Sequence, residues 1–387
     1  MMHPIITILQ IIAFLGCLSS CAYYFLCIAG ARSLLGSWRS VRGEASPTPP
    51  VSILKPLKGF DPEMYECFRS HCLQDYPEYE IVFGVSDPAD PAVASVEQLK
   101  QEFPTWRIQL VVCPQILGPN VKVSNLEQMV QAARHEYLVV NDSDIRVEED
   151  YLRRVVAPFC DEAVGMATCL YRGVSAATLG SQLEALGIST DFCPGVIAAR
   201  LLEHGLSFGL GSTLAFRRRE LNQIGGFKAI VDYLADDYEL GQRIANLGKR
   251  IELSDVVVET YLPDYDLKTF LAHQMRWARG VRDSRLGGYI GLASTFGLMW
   301  ALLNLLFAGA ALWSWVVLGC VLSLRILVAF TVGRSVLKDS HFLKHLWLLP
   351  LRDLIAVGVW IVSFWGHTVT WRGDEFELRK GRLFQIS

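Results

Sequence analysis

An α/β domain with a mostly parallel sheet, held between N-terminal and C-terminal transmembrane helices, is the fold class the sequence predicts. Three observations carry it. Apolar residues crowd the two ends of the chain. The middle alternates short buried runs with segments of helical spacing. Acidic residues stand where two of those runs stop. The residues AVILMFWYC make up 51% and charged residues 19%, with a mean hydropathy of +0.29. An ordinary soluble domain carries about 25% charge. Disorder, collagen and small disulfide scaffolds are excluded. A net charge of -3 gives no electrostatic reason to expect nucleic acid as a partner.

The first element runs from Ile5 to Gly30 without a charge. At 1.5 Å per residue it crosses a hydrocarbon layer of about 30 Å. Arg32, Arg39 and Arg42 follow it, and only His3 precedes it. The positive-inside rule then places the N-terminus outside and the next domain in the cytoplasm. A cleaved signal peptide fits less well, because a basic start is missing and the apolar stretch is too long. Leu18–Cys21 resembles a lipoprotein cleavage box, but the apolar run continues beyond it. An uncleaved anchor is the expectation.

The linker Ala45–Pro50 holds three prolines and separates anchor from domain. A strand starts at Val51 and ends in Lys55–Gly59. A second covers Glu80–Ser86 and stops at Asp87. Val93–Phe103 has helical spacing, Trp106–Val112 reads as a strand, and Val123–Arg134 as a helix. Tyr137–Val140 is a fourth strand, ending at Asn141-Asp142-Ser143-Asp144. Alternation of this kind indicates a parallel sheet, whose ligands sit outside the carboxyl ends of its strands. A helix follows at Glu239–Leu247, and another begins near Leu267.

Leu286–Leu324 is free of charge and leaves room for two spans, extending to about Val332. Arg325 would then have to face other helices. Leu354–Trp371 is a third candidate span, with Lys338–Asp353 between them as an interfacial amphipathic segment. One anchor plus three spans would leave Arg372, Arg379, Lys380 and Arg382 outside, against the positive-inside rule. The sidedness of the C-terminus stays open. The ten cysteines form no Cys-x-x-Cys pair, which argues against a structural zinc and suits a reducing compartment.

Asp142 and Asp144 lie two residues apart on a turn leaving a buried strand. Hard cations such as Mg²⁺ or Mn²⁺ are held by one or two carboxylates plus substrate phosphates. A turn or helix cap is the plainer explanation of the same residues. Asp236 and Asp237 open a helix, where acidic charge is favourable in any case. Adjacent carboxylates also raise each other's pKa, which helps one of them accept a proton. On the helix from Leu267, Arg276, Arg279, Arg282 and Arg285 recur every third residue. The last three suit an anionic membrane surface. Arg276 beside Trp277 suits a diphosphate and an acceptor.

In order, Lys55–Gly59, Val85–Pro91, Asn120–Leu126, Asp142–Arg146, Ala235–Tyr238 and His273-x-x-Arg276-Trp277 resemble the ceramide glucosyltransferase family. That family is a membrane branch of the GT-A glycosyltransferases (nucleotide-diphospho-sugar transferases), with the pattern D, D, D, (Q/R)xxRW. Cys169–Gly173, Gly211–Arg218 and His273–Arg279 look closer to its bacterial branch, associated with hopanoid biosynthesis. The resemblance implies an enzyme that moves a hexose, glucose or N-acetylglucosamine, from a UDP-sugar to a lipid hydroxyl, with inversion. The acceptor would be ceramide or a hopanoid, at the lipid bilayer of the cell membrane.

It also implies roles residue by residue. Asp87 contacts the uracil end of the donor. Asp142 and Asp144 contact nucleotide and metal, Asp144 being the better ligand. Asp237 is the catalytic base, with Asp236 beside it. Arg276 and Trp277 meet the diphosphate and the acceptor mouth, with His273 opening that motif. Lys55 and Lys122 approach the nucleotide and phosphates. His273 departs from the usual Gln or Arg, and Gly187-Ile-Ser189 leads to Thr190 and Asp191 where animal ceramide enzymes carry a His. These expectations divide the chain into an anchor (1–31), a GT-A domain (45–265), a basic interfacial helix (266–285), a C-terminal transmembrane region (286–372) and a basic tail (373–387). A processive polysaccharide synthase and a non-catalytic scaffold of the same fold are the alternatives.

Overall fold

The structure is a computed structural model and describes residues 4–41, 47–371 and 374–386. His3, Arg42, Ala45 and Arg372, invoked above for topology and linker, lie outside the described residues. The chain forms two compact units. One comprises Met1–Ser40, Ala177–Glu203 and Tyr265–His367; the other comprises Val41–Ala176, His204–Asp264 and Thr368–Ser387. The two units interleave along the chain.

The second unit holds an eight-stranded sheet in the order β3-β2-β1-β4-β7-β6-β8-β5. Its strands are β1 (Val51–Pro56), β2 (Tyr79–Val85), β3 (Ile108–Val112), β4 (Tyr137–Val140), β5 (Ile145–Arg146), β6 (Val164–Val174), β7 (Leu214–Arg217) and β8 (Arg250–Tyr261). The first four are parallel, with Val51 in register with Tyr79 on one side and Tyr137 on the other. β7 runs antiparallel to β4 and β6, and β6 and β8 are parallel. β1 and β2 are buried almost throughout, as expected for parallel strands covered on both faces. The parallel half therefore brings the ends of β1, β2 and β4 to one edge.

Two helices carry charge to that edge. Val121–Met129 begins at Asn120, whose side chain accepts from Val123 N at 3.1 Å and donates to Tyr233 O at 2.8 Å. A Cβ on Gly84 would meet the Met129 side chain, so Gly84 leaves room for that flexible side chain between this helix and β2. Asp236–Asn246 is set by a similar constraint. A Cβ on Gly241 would meet Gly209 N at 2.3 Å and Phe208 C at 2.6 Å. That backbone approach fixes where the helix begins, and with it Asp236 and Asp237.

The tail is not a loose basic segment. β9 (Thr368–Trp371), β10 (Asp374–Arg379) and β11 (Arg382–Gln385) form an antiparallel three-stranded sheet. Val369, Phe376, Leu378 and Leu383 bury one face, with Leu234 packed against it. Backbone bonds join Leu234 N to Gly381 O at 3.0 Å and Leu383 N to Asp232 O at 2.7 Å. The sheet thus braces the segment just before Asp236.

The first unit is helical. Among the described residues, four helices are long and apolar enough to cross a membrane: Pro4–Arg39, Leu179–Leu202, Leu312–Val336 and Phe342–Ser363. Leu286–Thr295 and Gly297–Phe307 are bent by 52° and would make a fifth if they count as one span. The N-terminal span and a span ending near Val332 match expectation. Three features do not. Leu179–Leu202 was not legible as a span, because Glu184 and Asp191 interrupt its apolar run. The last span lies at 342–363 rather than 354–371, and so absorbs part of the segment read as interfacial. Residues 286–307 bend at Phe296. The core of this unit includes Leu183, Leu186, Phe270, Phe342 and Leu349.

Arg325 faces other helices, as the cost of lipid-facing charge requires. Its Nε and Nη2 donate to Asp353 at 3.0 and 2.7 Å, and Nη1 donates to Thr190 O. The expectation for Arg279, Arg282 and Arg285 is corrected. Arg282 is buried, donating to Ser363 O and, at 3.2 Å, to Gly366 O. Arg279 donates to Trp365 O at 2.9 Å, and Arg285 pairs with Glu203 at 2.6 Å. Arg279 and Arg282 satisfy carbonyls left orphaned at the end of the helix Leu349–Ser363, where positive charge is also favoured. They are committed inside this unit and are not a row laid on lipid.

Leu378 is fully buried in the small terminal sheet. Leu378→Ala should destabilise that sheet by about 2–5 kcal/mol. Hydrogen exchange at the Leu234 and Leu383 amides should accelerate in the variant, while the amides of β1 and β2 keep their protection.

Candidate functional site

The edge formed by the ends of β1, β2 and β4 gathers most of the expected site residues. Asp142 follows β4 directly, and Asn141 fixes its turn. Asn141 is buried and donates to Ser212 O and Tyr151 Oη, both at 2.8 Å, and to Thr213 Oγ1 at 3.1 Å. The Asp142 turn is therefore tied to the strand entry at 212–213.

Lys122, in the first turn of Val121–Met129, joins two acidic elements. Its Nζ lies 2.8 Å from Asp142 Oδ1 and 3.2 Å from Asp236 Oδ2. Burial disfavours its charge, but Asp142 and Asp236 outweigh it and hold the ammonium protonated well above the usual lysine range. Asp237 points elsewhere. Its Oδ2 accepts from Gly211 N and its Oδ1 from Tyr238 N, each at 2.8 Å. Burial first, then the Asp236 charge, pushes the Asp237 carboxyl up to about 6, while Lys122 and the Tyr238 N–H pull the other way.

Gly211 occupies the space between these acids. A Cβ there would stand 3.2 Å from Asp237 Oδ2 and 3.5 Å from Asp142 Oδ2. Carboxylate oxygens from two distant segments therefore converge on Gly211, whose missing side chain leaves them room. Asp144, half-buried, bonds Thr260 Oγ1 through its Oδ2 and accepts from Tyr261 N through its carbonyl at 3.1 Å. Burial first, and then Asp142, pushes its carboxyl up to about 6. Ser143 Oγ donates to Asp61.

Two expected residues sit differently. Asp87 is exposed at the end of β2, its Oδ1 accepting from Ala89 N at 2.8 Å, so it belongs to the same edge as a separate, outer acid. Lys55 is fully buried. Its Nζ donates to Asp142 O at 3.0 Å, with His71 Nε2 at 3.5 Å. Burial pulls its pKa down to about 8. It positions the Asp142 turn from beneath.

His273, Arg276 and Trp277 lie in the first unit, on Leu267–Ser284. His273 Nδ1 is 2.9 Å from buried Glu184, and its ring stacks on Tyr265 with centroids 5.6 Å apart. Trp277 packs between His273 and Phe192, at 5.2 and 5.9 Å. Arg276 is half-buried. His273 thus orients the motif from within its own unit.

The glycosyl transferase family 21 model matches residues 12–384. The chain belongs to glycosyl transferase family 21. Ceramide glucosyltransferase 3 of Caenorhabditis elegans is 24% identical over 381 residues, covering 93% of this chain and 79% of that relative. Ceramide glucosyltransferase of Komagataella phaffii is 36% identical over 118 residues, 28% of this chain and 23% of that relative. Among solved structures, the mannosyltransferase PcManGT from Pyrobaculum calidifontis, in complex with GDP-Man and Mn²⁺, matches with a TM-score of 0.53 at 18% identity. It covers 92% of this chain and 99% of that one. The expected GT-A fold is thereby met, and the family 21 chain is a glycosyltransferase.

In this family 21 enzyme the donors available to a divalent cation are few. Among the described residues no group of three or more His, Cys, Asp or Glu side chains is placed to hold a metal. Asp142 and Asp144 alone, on one turn, fit a hard cation that takes its remaining oxygens from substrate and water. Sequence reasoning missed Gly211, Asn141, Asp61 and Thr260. The first two stand in stretches that drew attention for other reasons; nothing local marks the others.

The elevated pKa of Asp237 has a stability consequence. Its ordinary value is 3.8 and its folded value about 6, so the folded enzyme binds more protons between those values. Stability then falls as pH rises through that window. Asp237→Asn removes this slope. The thermal midpoint of the variant relative to wild type should climb from about pH 4 to about pH 6.5 and level off above; a constant difference would contradict the burial of an ionisable Asp237.

Proposed function

We propose that this family 21 glycosyltransferase moves a hexose, glucose or N-acetylglucosamine, from a UDP-sugar to a membrane lipid hydroxyl with inversion at the anomeric carbon. The acceptor class is a ceramide or a hopanoid. One observation carries the proposal. Asp237, with its raised pKa, converges on Gly211 together with Asp142, in a family whose named relatives are ceramide glucosyltransferases.

Asp237 accepts the proton of the lipid hydroxyl. The hydroxyl oxygen forms a bond to the anomeric carbon as the bond from that carbon to the β-phosphate oxygen breaks, and UDP leaves. A base with a pKa near 6 is mostly ionised at neutral pH and still basic enough to accept a proton. Gly211 N–H and Tyr238 N–H fix both carboxylate oxygens and so orient the base. Asp87 is assigned to the uracil end, and Lys122 pairs with Asp142 and Asp236 beside the base. Asp144 with Asp142 would hold a divalent Mg²⁺ or Mn²⁺, which supplies charge stabilisation to a leaving diphosphate. Arg276 and Trp277 are assigned to diphosphate and acceptor on motif grounds. We further assign the chain to the cell membrane as a multi-pass protein with its sheet unit in the cytoplasm, consistent with Arg32 and Arg39 at the end of the first span.

Removing a positioned base costs about 10²–10⁴-fold in turnover. Asp237→Asn should fall in that range while binding UDP with unchanged affinity by calorimetry; near-normal turnover would reject the assignment. For the metal site, Mn²⁺ binding to wild type should be seen by paramagnetic resonance in the presence of UDP. Asp144→Asn should abolish it, and retention in that variant would reject Asp144 as a ligand.

A further inference from the structure

β11 is an edge strand of the terminal sheet, and an edge leaves a row of N–H and C=O groups without strand partners. Here the row is used. The turn from β10 to β11 is Lys380-Gly381, with φ of 50° and 77°, set between the paired residues Arg379 and Arg382. Two left-handed residues in succession match the twist of the flanking strands, and the second favours glycine. The turn aims Gly381 O at Leu234 N, and Leu383 N reaches Asp232 O. Tyr233 pairs with Arg382 between those two bonds. Residues 232–234 thus extend the terminal sheet by a further short strand.

The same segment is held by a second partner. Val231 O accepts from Asn120 N at 3.0 Å, and Tyr233 O accepts from Asn120 Nδ2 at 2.8 Å. Asn120 is buried and caps the helix that carries Lys122. Two guanidinium groups contact the Tyr233 ring. Arg382 stands 5.2 Å from its centroid and donates from Nε to the hydroxyl at 3.2 Å. Arg243, from the helix Asp236–Asn246, stands 5.6 Å away. Tyr233 therefore touches the terminal sheet, the cap of the Lys122 helix and the helix that begins at Asp236. Both partners of the Lys122–Asp236 contact are held through this one segment.

We propose that Tyr233 and the hairpin Arg379–Arg382 are positioning residues for the transfer reaction. They set the register at which Asp236 meets Lys122, and so govern turnover rather than donor binding. A catalytic group misplaced by about 1 Å can cost about 10²-fold in rate. The proposal rests on the reading of Asp237, the neighbour of Asp236, as the base.

The full-length enzyme in nanodiscs, carrying Tyr233→Cys and Arg382→Cys together, tests it. Turnover is read as UDP released from UDP-glucose or UDP-N-acetylglucosamine with ceramide and hopanoid present. Antiparallel partners flanked by their hydrogen bonds place their Cα atoms about 4.5 Å apart, within the span of a disulfide. Reduced, the double variant lacks the aromatic ring and the Arg382 guanidinium, and kcat should fall by about tenfold with the KM for the UDP-sugar unchanged. Oxidised, the cross-link restores the pairing, and kcat should recover most of that loss. Wild type treated alike controls for the native cysteines. Gly381→Val, which strains the turn, should lower kcat in the same way while UDP still binds by calorimetry. An unchanged kcat in the reduced double variant and in Gly381→Val would overturn the proposal. So would a loss that oxidation leaves in place, or one that appears in the KM for the UDP-sugar instead. If oxidation restores turnover while Asp237→Asn transfers sugar at the wild-type rate, the base reading fails and positioning by the hairpin stands.

Discussion

The arrangement at the sheet edge depends on one ammonium. Lys122 lies between Asp142 and Asp236, on elements separated by nearly a hundred residues, and neutralises part of a cluster that also holds Asp144 and Asp237. Without it, the turn after β4 and the start of the helix Asp236–Asn246 would repel each other at short range. With it, those two elements are fixed while Asp237 is left elevated in pKa and turned toward Gly211. The same pairing thus stabilises the edge and leaves one carboxyl chemically poised.

Glycines set the distances on which that pairing relies. Gly84 leaves room for the Met129 side chain of the helix that carries Lys122, Gly241 admits the helix that carries Asp237, and Gly211 leaves room for the acids that converge on it. The terminal three-stranded sheet adds a brace at residues 232–234. Precision at the site therefore comes from backbone approach and from a segment far away in sequence, rather than from the acidic residues themselves.

The helical unit solves a different electrostatic problem. Its arginines are spent on internal partners: Arg325 on Asp353 and Thr190, Arg282 on the carbonyls after the last long helix, Arg285 on Glu203. Read as a linear row, Arg279, Arg282 and Arg285 suggested a surface laid on lipid. The helix places Arg282 in the interior because the carbonyls at Ser363 and Gly366 have no helical partner of their own. Sequence spacing records the charges but not the acceptors waiting for them.

Much of the site was legible because its chemistry is local. Asp142-Ser-Asp144 after a buried strand and Asp236-Asp237 at a helix start announce themselves, Lys122 came only with the family pattern, and the order of these motifs identified the family. Lys55 entered through the family resemblance alone, and its burial beneath Asp142 is visible only in the tertiary structure. The apolar helix at 179–202 escaped notice because Glu184 and Asp191 break its run, and tertiary partners such as His273 and Gln274 satisfy Glu184 there. What the sequence alone determined was the α/β sheet, the apolar ends and the acidic motifs, since these follow from periodicity and strand ends. What only the tertiary structure decided was the interleaving of the two units, the bracing tail sheet and the convergence of acids on Gly211, because each depends on contacts between residues far apart in the chain.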